Sequence, residues 1–283
     1  MLECVANVSE GRRRDVVDRL AVACGAPLLD AHADADHNRS VFTLVADVDE
    51  VEAAADRLAE AVARSVDPSW HEGVHPRLGA LDVVPFVALS GTPDARASAV
   101  RTAQYFAGWL GDTLDVPTFL YGEADPQERP LPSLRRDAFE RRKPDYGPRE
   151  PHPKLGATAV GARPPLVAVN CELDRDDVEL ARRVADDVRE RGGGLPGVRA
   201  LGFELSSRGR AQVSLNVTDL AATGVEEACA DVARAARVEG ADVARIELVG
   251  LMPRAALDEC SPGFRRRAGL GDEHTIEGRL ERR

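Results

Sequence analysis

The sequence predicts an α/β protein in which one two-layer unit occurs twice in succession. Residues 2–89 follow the order strand, helix, strand, strand, helix, strand, and residues 166–251 repeat that order. A segment rich in proline and glycine, 147–156, lies between the two sets. A βαββαβ order is typical of a small sheet with two helices on one face. We therefore predict two ferredoxin-like domains, 1–164 and 165–283, whose sheets face each other across a ligand groove or tunnel, because domain interfaces favour ligand sites.

Hydrophobic periodicity defines the elements of the first unit. Apolar runs predict four strands: Leu2–Val8, Leu28–Ala33, Arg39–Ala46 and Ala80–Leu89. Ser9 is predicted to start the first helix and Gly25 to stop it. The apolar stripe of that helix consists of Val16, Val17, Leu20 and Cys24. Asp47 and Glu50 have the spacing of a capping box and open the second helix. Its apolar residues recur at helical intervals: Val48, Val51, Ala55, Leu58, Val62 and Val66.

The segment between the units predicts further structure. Thr92 is a suitable N-cap and Pro93 a suitable first residue for a helix that runs to about Leu114. A short strand, Thr118 to Tyr121, follows, and then a brief helix around Ser133 to Arg142.

The second unit repeats these signals. Its strands are predicted at Leu166–Leu173, Val198–Leu205, Ala211–Val217 and Val243–Leu251. Asp174 is predicted to open the first helix, and Thr223 with Glu226 forms a capping box for the second. The two buried stripes consist of Leu180, Ala181, Val184 and Val188, and of Val225, Cys229, Val232 and Ala236.

Composition excludes several classes of protein. The charged fraction of 30% and hydrophobic fraction of 43% are those of a globular protein, and no apolar run approaches the roughly 20 residues of a membrane span. The net charge of −11 argues against nucleic-acid binding. The first residues lack the features of a signal peptide, and the five cysteines form no C-x-x-C pair. We therefore expect a cytoplasmic protein without a membrane or nucleic-acid partner.

The most informative loop is 71–82, HEGVHPRLGALD. Its glycines and Pro76 make a helix improbable, so His71 and His75 cannot share a helix face as paired metal ligands do. The loop instead presents the imidazole of His75 beside the guanidinium of Arg77. Imidazole exchanges protons near neutral pH, and guanidinium grips carboxylates with two nitrogens. This pairing indicates proton-transfer chemistry on an anionic substrate, although a turn with a solvated arginine is the alternative.

A second loop has a similar composition. The residues of 147–156 read GPREPHPKLG, with one histidine among prolines, glycines and basic residues. Long loops in compact proteins are usually functional or disordered, and this one runs directly into 157–163, a segment with the pattern of ordered structure.

The predicted strand 211–217 has two different faces. Gln212, Ser214 and Asn216 alternate with apolar residues and form a row of amides and a hydroxyl. Such a row can bind a heterocycle that has several donors and acceptors. A solvent-exposed sheet face is the alternative, and the pattern alone favours neither.

Eight motifs along almost the whole chain resemble the formiminotransferase family, the glutamate formimidoyltransferases of histidine catabolism. They are ECVANVSEGR, DHNRSVFTLV, HEGVHPRLGALDVVPF, PTFLYGEA, PDYGPREPHPKLGATAVGAR, GGLPGVRALGFEL, AQVSLNVTDL and ELVGLMP. Their order and spacing match the family. The two-subdomain α/β architecture of that family, with a folate tunnel between subdomains, agrees with the repeat described above.

The resemblance implies transfer of a formimidoyl group from N-formimidoyl-L-glutamate to N5 of tetrahydrofolate, which is a co-substrate. The catalytic histidine of the family corresponds to His75. Its folate-contacting segment corresponds to 147–156, from which we select six residues: Gly147, Pro148, His152, Pro153, Lys154 and Gly156. One imidazole can take the proton of the attacking amine and return it to the leaving amine, so neither a metal nor a covalent nucleophile is needed. The family also suggests a homodimer.

Three further residues are candidates for binding the donor. Arg39 and Arg77 are possible carboxylate clamps, and Asn38 could orient the amidine. The chain departs from the family at Ala6, where many members have proline, and at His32. In the bifunctional animal-type members an aspartate implicated in catalysis takes the place of His32, and those members also carry a cyclodeaminase domain that this sequence does not encode.

Two alternatives remain at this stage. An ACT-like, non-enzymatic ligand-binding module also uses βαββαβ repeats, but it would not need the His-Pro-Arg loop. A folate-dependent formyl- or formimidoyltransferase could use another donor, such as formimidoylglycine.

Overall fold

A computed structural model describes residues 1–68 and 71–283 of the chain. The chain divides into two units, Met1–Arg163 and Pro164–Arg283. Each unit has its own sheet and its own buried apolar cluster. Among the described residues, no helix combines the length and the apolar character that a membrane crossing requires.

The sheet of the first unit has six strands in the order β2-β3-β1-β4-β6-β5. These strands are β1 (Leu2–Val8), β2 (Leu28–Asp34), β3 (Arg39–Ala46), β4 (Leu81–Ala88), β5 (Thr118–Gly122) and β6 (Thr158–Ala162). The first four are antiparallel neighbours in the ferredoxin-like order, and β6 and β5 extend the sheet in parallel beyond β4. The helices are α1 (Arg14–Cys24), α2 (Val48–Ser65), α3 (Pro93–Leu114) and α4 (Leu131–Asp137).

The sheet of the second unit has four antiparallel strands in the order β10-β7-β9-β8. They are β7 (Val167–Leu173), β8 (Val198–Leu205), β9 (Arg210–Val217) and β10 (Val243–Val249). Its helices are α5 (Val178–Val188), α6 (Val225–Val238), α7 (Arg254–Asp258), α8 (Pro262–Ala268) and α9 (Ile276–Leu280). The predicted βαββαβ order is therefore confirmed in both units.

The apolar stripes predicted for the helices are buried. Val16, Val17, Leu20 and Cys24 face the core from α1, and the stripes of α2, α5 and α6 pack in the same way. Thr92 caps α3 through a hydrogen bond from the Ala95 amide, as predicted. Removal of such stripes from water is the main favourable contribution to the folding of each unit.

Several predicted helix starts are wrong, because the polar side chains involved make tertiary contacts instead. Ser9 does not start α1: its hydroxyl donates to the Gly79 carbonyl at 2.7 Å, and the helix begins at Arg14. The Glu10 carboxylate accepts from the amides of Arg12 and Arg13 at 2.9 Å each, in the turn before α1, and the N-cap residue Arg13 makes no side-chain capping bond.

The two predicted capping boxes do not form. Asp47 occupies the N-cap of α2 without a side-chain hydrogen bond. In α6 the N-cap is Gly224, since the Thr223 hydroxyl donates to the Pro196 carbonyl at 2.7 Å and Glu226 accepts from Ser261.

Two further helix boundaries differ from the prediction. Asp174 does not open α5; Asp177 caps it through a 2.9 Å bond from the Leu180 amide. The helix predicted around Ser133 to Arg142 is α4, Leu131–Asp137, and it ends before Phe139, whose φ of 65° is incompatible with a helix.

Candidate active site

The two loops singled out in the sequence pack against each other in the first unit. Gly79 and Gly156 form an antiparallel bridge, flanked by a 2.9 Å bond from the Ala80 amide to the Leu155 carbonyl. A side chain at Gly156 would lie 2.4 Å from the Leu78 carbonyl, and one at Gly79 would lie 2.2 Å from the Leu155 carbonyl. This contact requires glycine on both sides. It joins the loop 71–80, called the His75 loop below, to the 147–156 loop.

His75 lies in a loop before β4 and is partly buried. Its Nδ1 is 2.7 Å from the carbonyl oxygen of Pro76. Because a carbonyl oxygen only accepts, Nδ1 carries the hydrogen and Nε2 carries the lone pair of the neutral ring. The ring of His37, in the turn between β2 and β3, lies 6.2 Å away between centroids. This arrangement suits Nε2 to proton transfer.

The charges around His75 favour its neutral form. Burial lowers the pKa of His75, the Arg39 guanidinium lowers it further, and together they bring it from 6.5 to about 3. Asp82 raises the pKa of His75, and Arg135 lowers it as Arg39 does. The imidazole is therefore a free base over the whole neutral range.

Behind His75, Asp82 links two arginines. Its fully buried carboxylate lies 2.6 Å from Nη1 of Arg39 and 2.6 Å from Nη2 of Arg135, and it accepts from the Leu78 amide at 2.6 Å. Burial alone would raise the pKa of Asp82, but the two arginines outweigh it and hold the pKa at about 2. Asp82 is therefore ionised, and it compensates part of the charge of the two guanidinium groups.

Sequence reasoning missed both Asp82 and Arg135. Asp82 could have been noticed, because it is the one charged residue in the otherwise apolar strand LDVVPFVA. Arg135 has no local signal, since it comes from α4 and lies 53 positions from Asp82 in the chain.

The predicted binding residues of the first unit have defined internal partners. The Arg39 Nε donates to Asn7 at 3.1 Å, and Arg77 donates to the His71 carbonyl at 2.9 Å. Asn38, with a φ of 46°, accepts from the Gly11 amide at 2.9 Å and donates to the Glu72 carbonyl at 3.0 Å. Asn38 thus ties the β2–β3 turn to the His75 loop.

His71 is held in the same region. Its Nε2 lies 2.7 Å from the Asn38 carbonyl, and burial lowers the pKa of its ring. Since Nε2 must carry the hydrogen, the proton-accepting nitrogen of His71 is Nδ1, which is buried.

The 147–156 loop is exposed in its first half and anchored in its second. Gly147, with a φ of 77°, and Pro148 are exposed in the first half, and Pro153 is an exposed residue of the second half. His152 accepts from the amides of Lys154 and Leu155 at 3.1 and 2.9 Å through Nδ1, which leaves the hydrogen on Nε2. Lys154 donates to the Ala63 carbonyl near the end of α2 at 2.9 Å.

The remaining predicted residues lie on β9 in the second unit. The predicted alternation is confirmed: Ala211, Val213, Leu215 and Val217 belong to the helix-covered core, and the polar residues between them lie on the other face. Gln212 is buried, Ser214 is half-buried and Asn216 is exposed.

The same face of this sheet carries polar residues that the sequence analysis did not select. Asn170 and Glu172 on β7 pair in register with Ser214 and Gln212, and both are buried. The Glu172 carboxylate contacts Arg208 and, at 3.1 Å, Arg245. The row of polar groups is therefore at least two strands wide.

Comparison with known proteins identifies the family to which both units belong. The family model of the formiminotransferase domain, N-terminal subdomain, matches residues 1–163, and the model of the formiminotransferase domain matches residues 168–276. A glutamate formimidoyltransferase of Streptococcus pyogenes is 37% identical over 91% of this chain and 90% of its own length. One from Thermoplasma acidophilum is 34% identical over 100% of this chain and 98% of its own.

A bifunctional relative is matched over only part of its length. The formimidoyltransferase-cyclodeaminase of Sus scrofa is 36% identical over 98% of this chain but 55% of its own length. The chain belongs to the formiminotransferase family, and it is a transferase.

Proposed function

We propose that the protein is a folate-dependent glutamate formimidoyltransferase. It transfers the formimidoyl group of N-formimidoyl-L-glutamate to N5 of tetrahydrofolate and releases L-glutamate and 5-formimidoyltetrahydrofolate. The observation that carries this proposal is the neutral imidazole of His75, whose Nδ1 is hydrogen-bonded to the Pro76 carbonyl. His75 lies within the first of the two formiminotransferase models that match the chain.

His75 acts as the proton carrier. Its Nε2 accepts the proton that N5 of the folate loses when N5 attacks the formimidoyl carbon. The imidazolium then returns that proton to the glutamate nitrogen as the carbon–nitrogen bond of the tetrahedral intermediate breaks. Proton transfer of this kind contributes about 10²–10⁴-fold to rates.

Substrate binding adjusts the basicity of His75. In the free enzyme the pKa of about 3 would make the imidazole a weak base. The donor brings two carboxylates, and their negative charge near Arg39 and Arg135 opposes the electrostatic effect that lowers the pKa of His75. Binding of the donor therefore moves this pKa towards neutrality.

Arg77 and Arg39 bind the carboxylates of the donor, and Asn38 orients the amidine. Arg77 is half-buried and lies two residues after His75 in the same loop, which supports a role in contact with substrate. The Nε of Arg39 donates to Asn7 and its Nη1 donates to Asp82. We assign the remaining nitrogen of the guanidinium, Nη2, to a substrate carboxylate.

We assign tetrahydrofolate two candidate contact surfaces, the 147–156 loop of the first unit and the polar face of β9 of the second. The exposed residues Gly147, Pro148 and Pro153 supply contact surface, and His152, Lys154 and Gly156 fix the shape of the loop. Gln212, Ser214 and Asn216 supply donors and acceptors for the pterin. The buried amide of Asn170 and the buried carboxylate of Glu172 on β7 add polar groups that suit a heterocycle recognised by hydrogen bonds.

We also propose a cytoplasmic homodimer. Cys4, Cys24, Cys171, Cys229 and Cys260 are all free thiols, which fits a reducing compartment. Light scattering of the purified protein tests the dimer.

Release of glutamate from formimidoylglutamate, measured with and without tetrahydrofolate, tests the function. We expect release only with folate. Equal release without folate would identify a hydrolase and reject the transferase. Substitution of formimidoylglycine for formimidoylglutamate tests the donor, and faster transfer from the glycine derivative would reassign it.

A further inference from the structure

Arg135 makes a contact that no feature of the sequence indicates. Its Nη1 donates to the Pro76 carbonyl at 3.0 Å, the same oxygen that lies 2.7 Å from Nδ1 of His75. The guanidinium therefore holds the acceptor that determines which nitrogen of His75 carries the hydrogen.

The guanidinium of Arg135 is itself fixed. It contacts Asp82 through both terminal nitrogens, at 2.6 Å and 3.3 Å, and its side chain is 17% exposed. Arg39 binds the same carboxylate at 2.6 Å. A planar fork can bind a carboxylate and a carbonyl at once, whereas the single ammonium of a lysine cannot reproduce this geometry.

The helix that carries Arg135 is also fixed in position. Leu134, the preceding residue of α4, is 1% exposed and packs in a small apolar cluster with Val83 and Phe119, with Leu78 of the His75 loop at its edge. The cluster thus joins α4 to the segment that begins with His75 and ends in β4.

We propose that Arg135 is a positioning residue for catalysis: it fixes the Pro76 carbonyl so that His75 keeps its hydrogen on Nδ1 and presents Nε2 to the substrate. This role rests on the proposed function of His75. It requires no contact between Arg135 and the substrate.

Among residues 1–68 and 71–283, the charged and titratable groups that act on His75 come from four elements. They are Arg39 from β3, Asp82 from β4, Arg135 from α4 and the ring of His37 from the β2–β3 turn. Arg135 is one of the two cations that lower the pKa of His75, so its removal raises that pKa. The acid limb of kcat, which reports the pKa of His75 in the complex with the donor, must then move to higher pH, which the loss of a merely structural contact would not cause.

The test compares Arg135→Met and Arg135→Lys with Arg136→Met, a change at the exposed neighbouring residue of α4. Two readouts are needed: steady-state kinetics between about pH 5 and 9, and the ring ¹⁵N shifts of His75, assigned with His75→Gln. Methionine should lower kcat by about 100-fold, the usual cost of a misplaced catalytic group, with a much smaller effect on KM. Arg135→Lys should restore part of the lowering of the His75 pKa, but it should not restore the Nδ1–H tautomer. Arg136→Met should match the wild type in both readouts.

The ring shifts decide the outcome even where activity is lost. The wild type should show the Nδ1–H tautomer, and Arg135→Met should show a mixture. If Arg135→Met retains the Nδ1–H tautomer and an unmoved acid limb, the inference is overturned, even if kcat falls. Should the methionine variant not fold, the tautomer of Arg135→Lys decides in the same way. A wild-type enzyme that shows the Nδ1–H tautomer but transfers no formimidoyl group would reject the proposed function and with it the catalytic role, whereas the control of the His75 tautomer by Arg135 would stand.

Discussion

Gly79 and Gly156 lie opposite each other in an isolated antiparallel bridge, so the backbones of two loops that are 77 positions apart in the chain touch (156 − 79). The bridge fixes the base of the His75 loop against the 147–156 loop. Both loops belong to the proposed active site, so this backbone contact connects the proton carrier with a proposed folate-binding segment.

Gly156→Ala should destabilise the first unit. The new methyl group would lie 2.4 Å from the Leu78 carbonyl, at a φ of 72° that is strained for alanine. We expect a loss of roughly 1–3 kcal/mol in the free energy of unfolding, measured with urea. Gly240→Ala is the matched control, since its φ is 79° but no atom lies within 4 Å of the new methyl group. Equal losses in the two variants would show that the loops do not press on each other at Gly156.

His75→Ala should reduce kcat by about two to four orders of magnitude, the range for loss of a general acid–base group. Folate binding should change much less, because a proton carrier acts mainly in the transition state. Stopped-flow fluorescence or calorimetry gives the folate Kd. His32→Ala and His152→Ala serve as comparisons, and a His75→Ala enzyme with more than about a tenth of normal kcat would transfer the catalytic role to another residue, with His152 tested first.

The imidazole of His75 should remain neutral between pH 5 and 8 in the free enzyme. Its pKa is lowered to about 3 by burial and by Arg39, so protonation occurs only well below 6.5. Because the folded protein binds this proton less readily than the unfolded chain, the stabilising contribution is present above pH 6.5 and is lost as the pH falls towards 3. Proton NMR of the ring, with and without formimidoylglutamate, checks both the low value and its rise on donor binding. A titration near 6.5 without the donor would contradict this electrostatic description.

Asp82→Asn should be one of the most destabilising single changes in the first unit. It leaves Arg39 and Arg135 close together without the buried carboxylate that compensates them. Breaking a buried pair costs about 3–5 kcal/mol, which urea unfolding can measure. Asp15→Asn removes an exposed pair with Arg19 on α1 and should change little. Similar stability of both variants would mean that the Asp82 carboxylate is replaceable.

Asn216→Leu should weaken tetrahydrofolate binding while the fold is retained. A ligand group left without its hydrogen bond costs about 1–3 kcal/mol, or roughly 5- to 150-fold in Kd. Glu227→Leu, on the exposed side of α6, controls for added surface hydrophobicity. An unchanged Kd would remove this face of β9 from the proposed folate site.

Sequence by itself predicted the βαββαβ order of both units and the apolar faces of their helices and strands, because these depend on local periodicity; it did not predict β6 or the helices α7, α8 and α9. The stripe of α1 and the alternation along β9 are examples, and the formiminotransferase motifs identified the family. Tertiary structure alone decided the roles of the polar residues near element ends. Ser9 and Thr223 have good capping propensities, but each donates its hydroxyl to a carbonyl distant in the chain.

The electrostatics of the candidate site were likewise decided by tertiary structure. Arg39, Asp82 and Arg135 come from β3, β4 and α4, and only the packing of these elements brings the three charges to one point. The pKa of His75 and the position of its ring hydrogen depend on that packing. A sequence shows that an imidazole is present, but burial and charges from distant segments determine its protonation, since electrostatic interactions depend on distance in space.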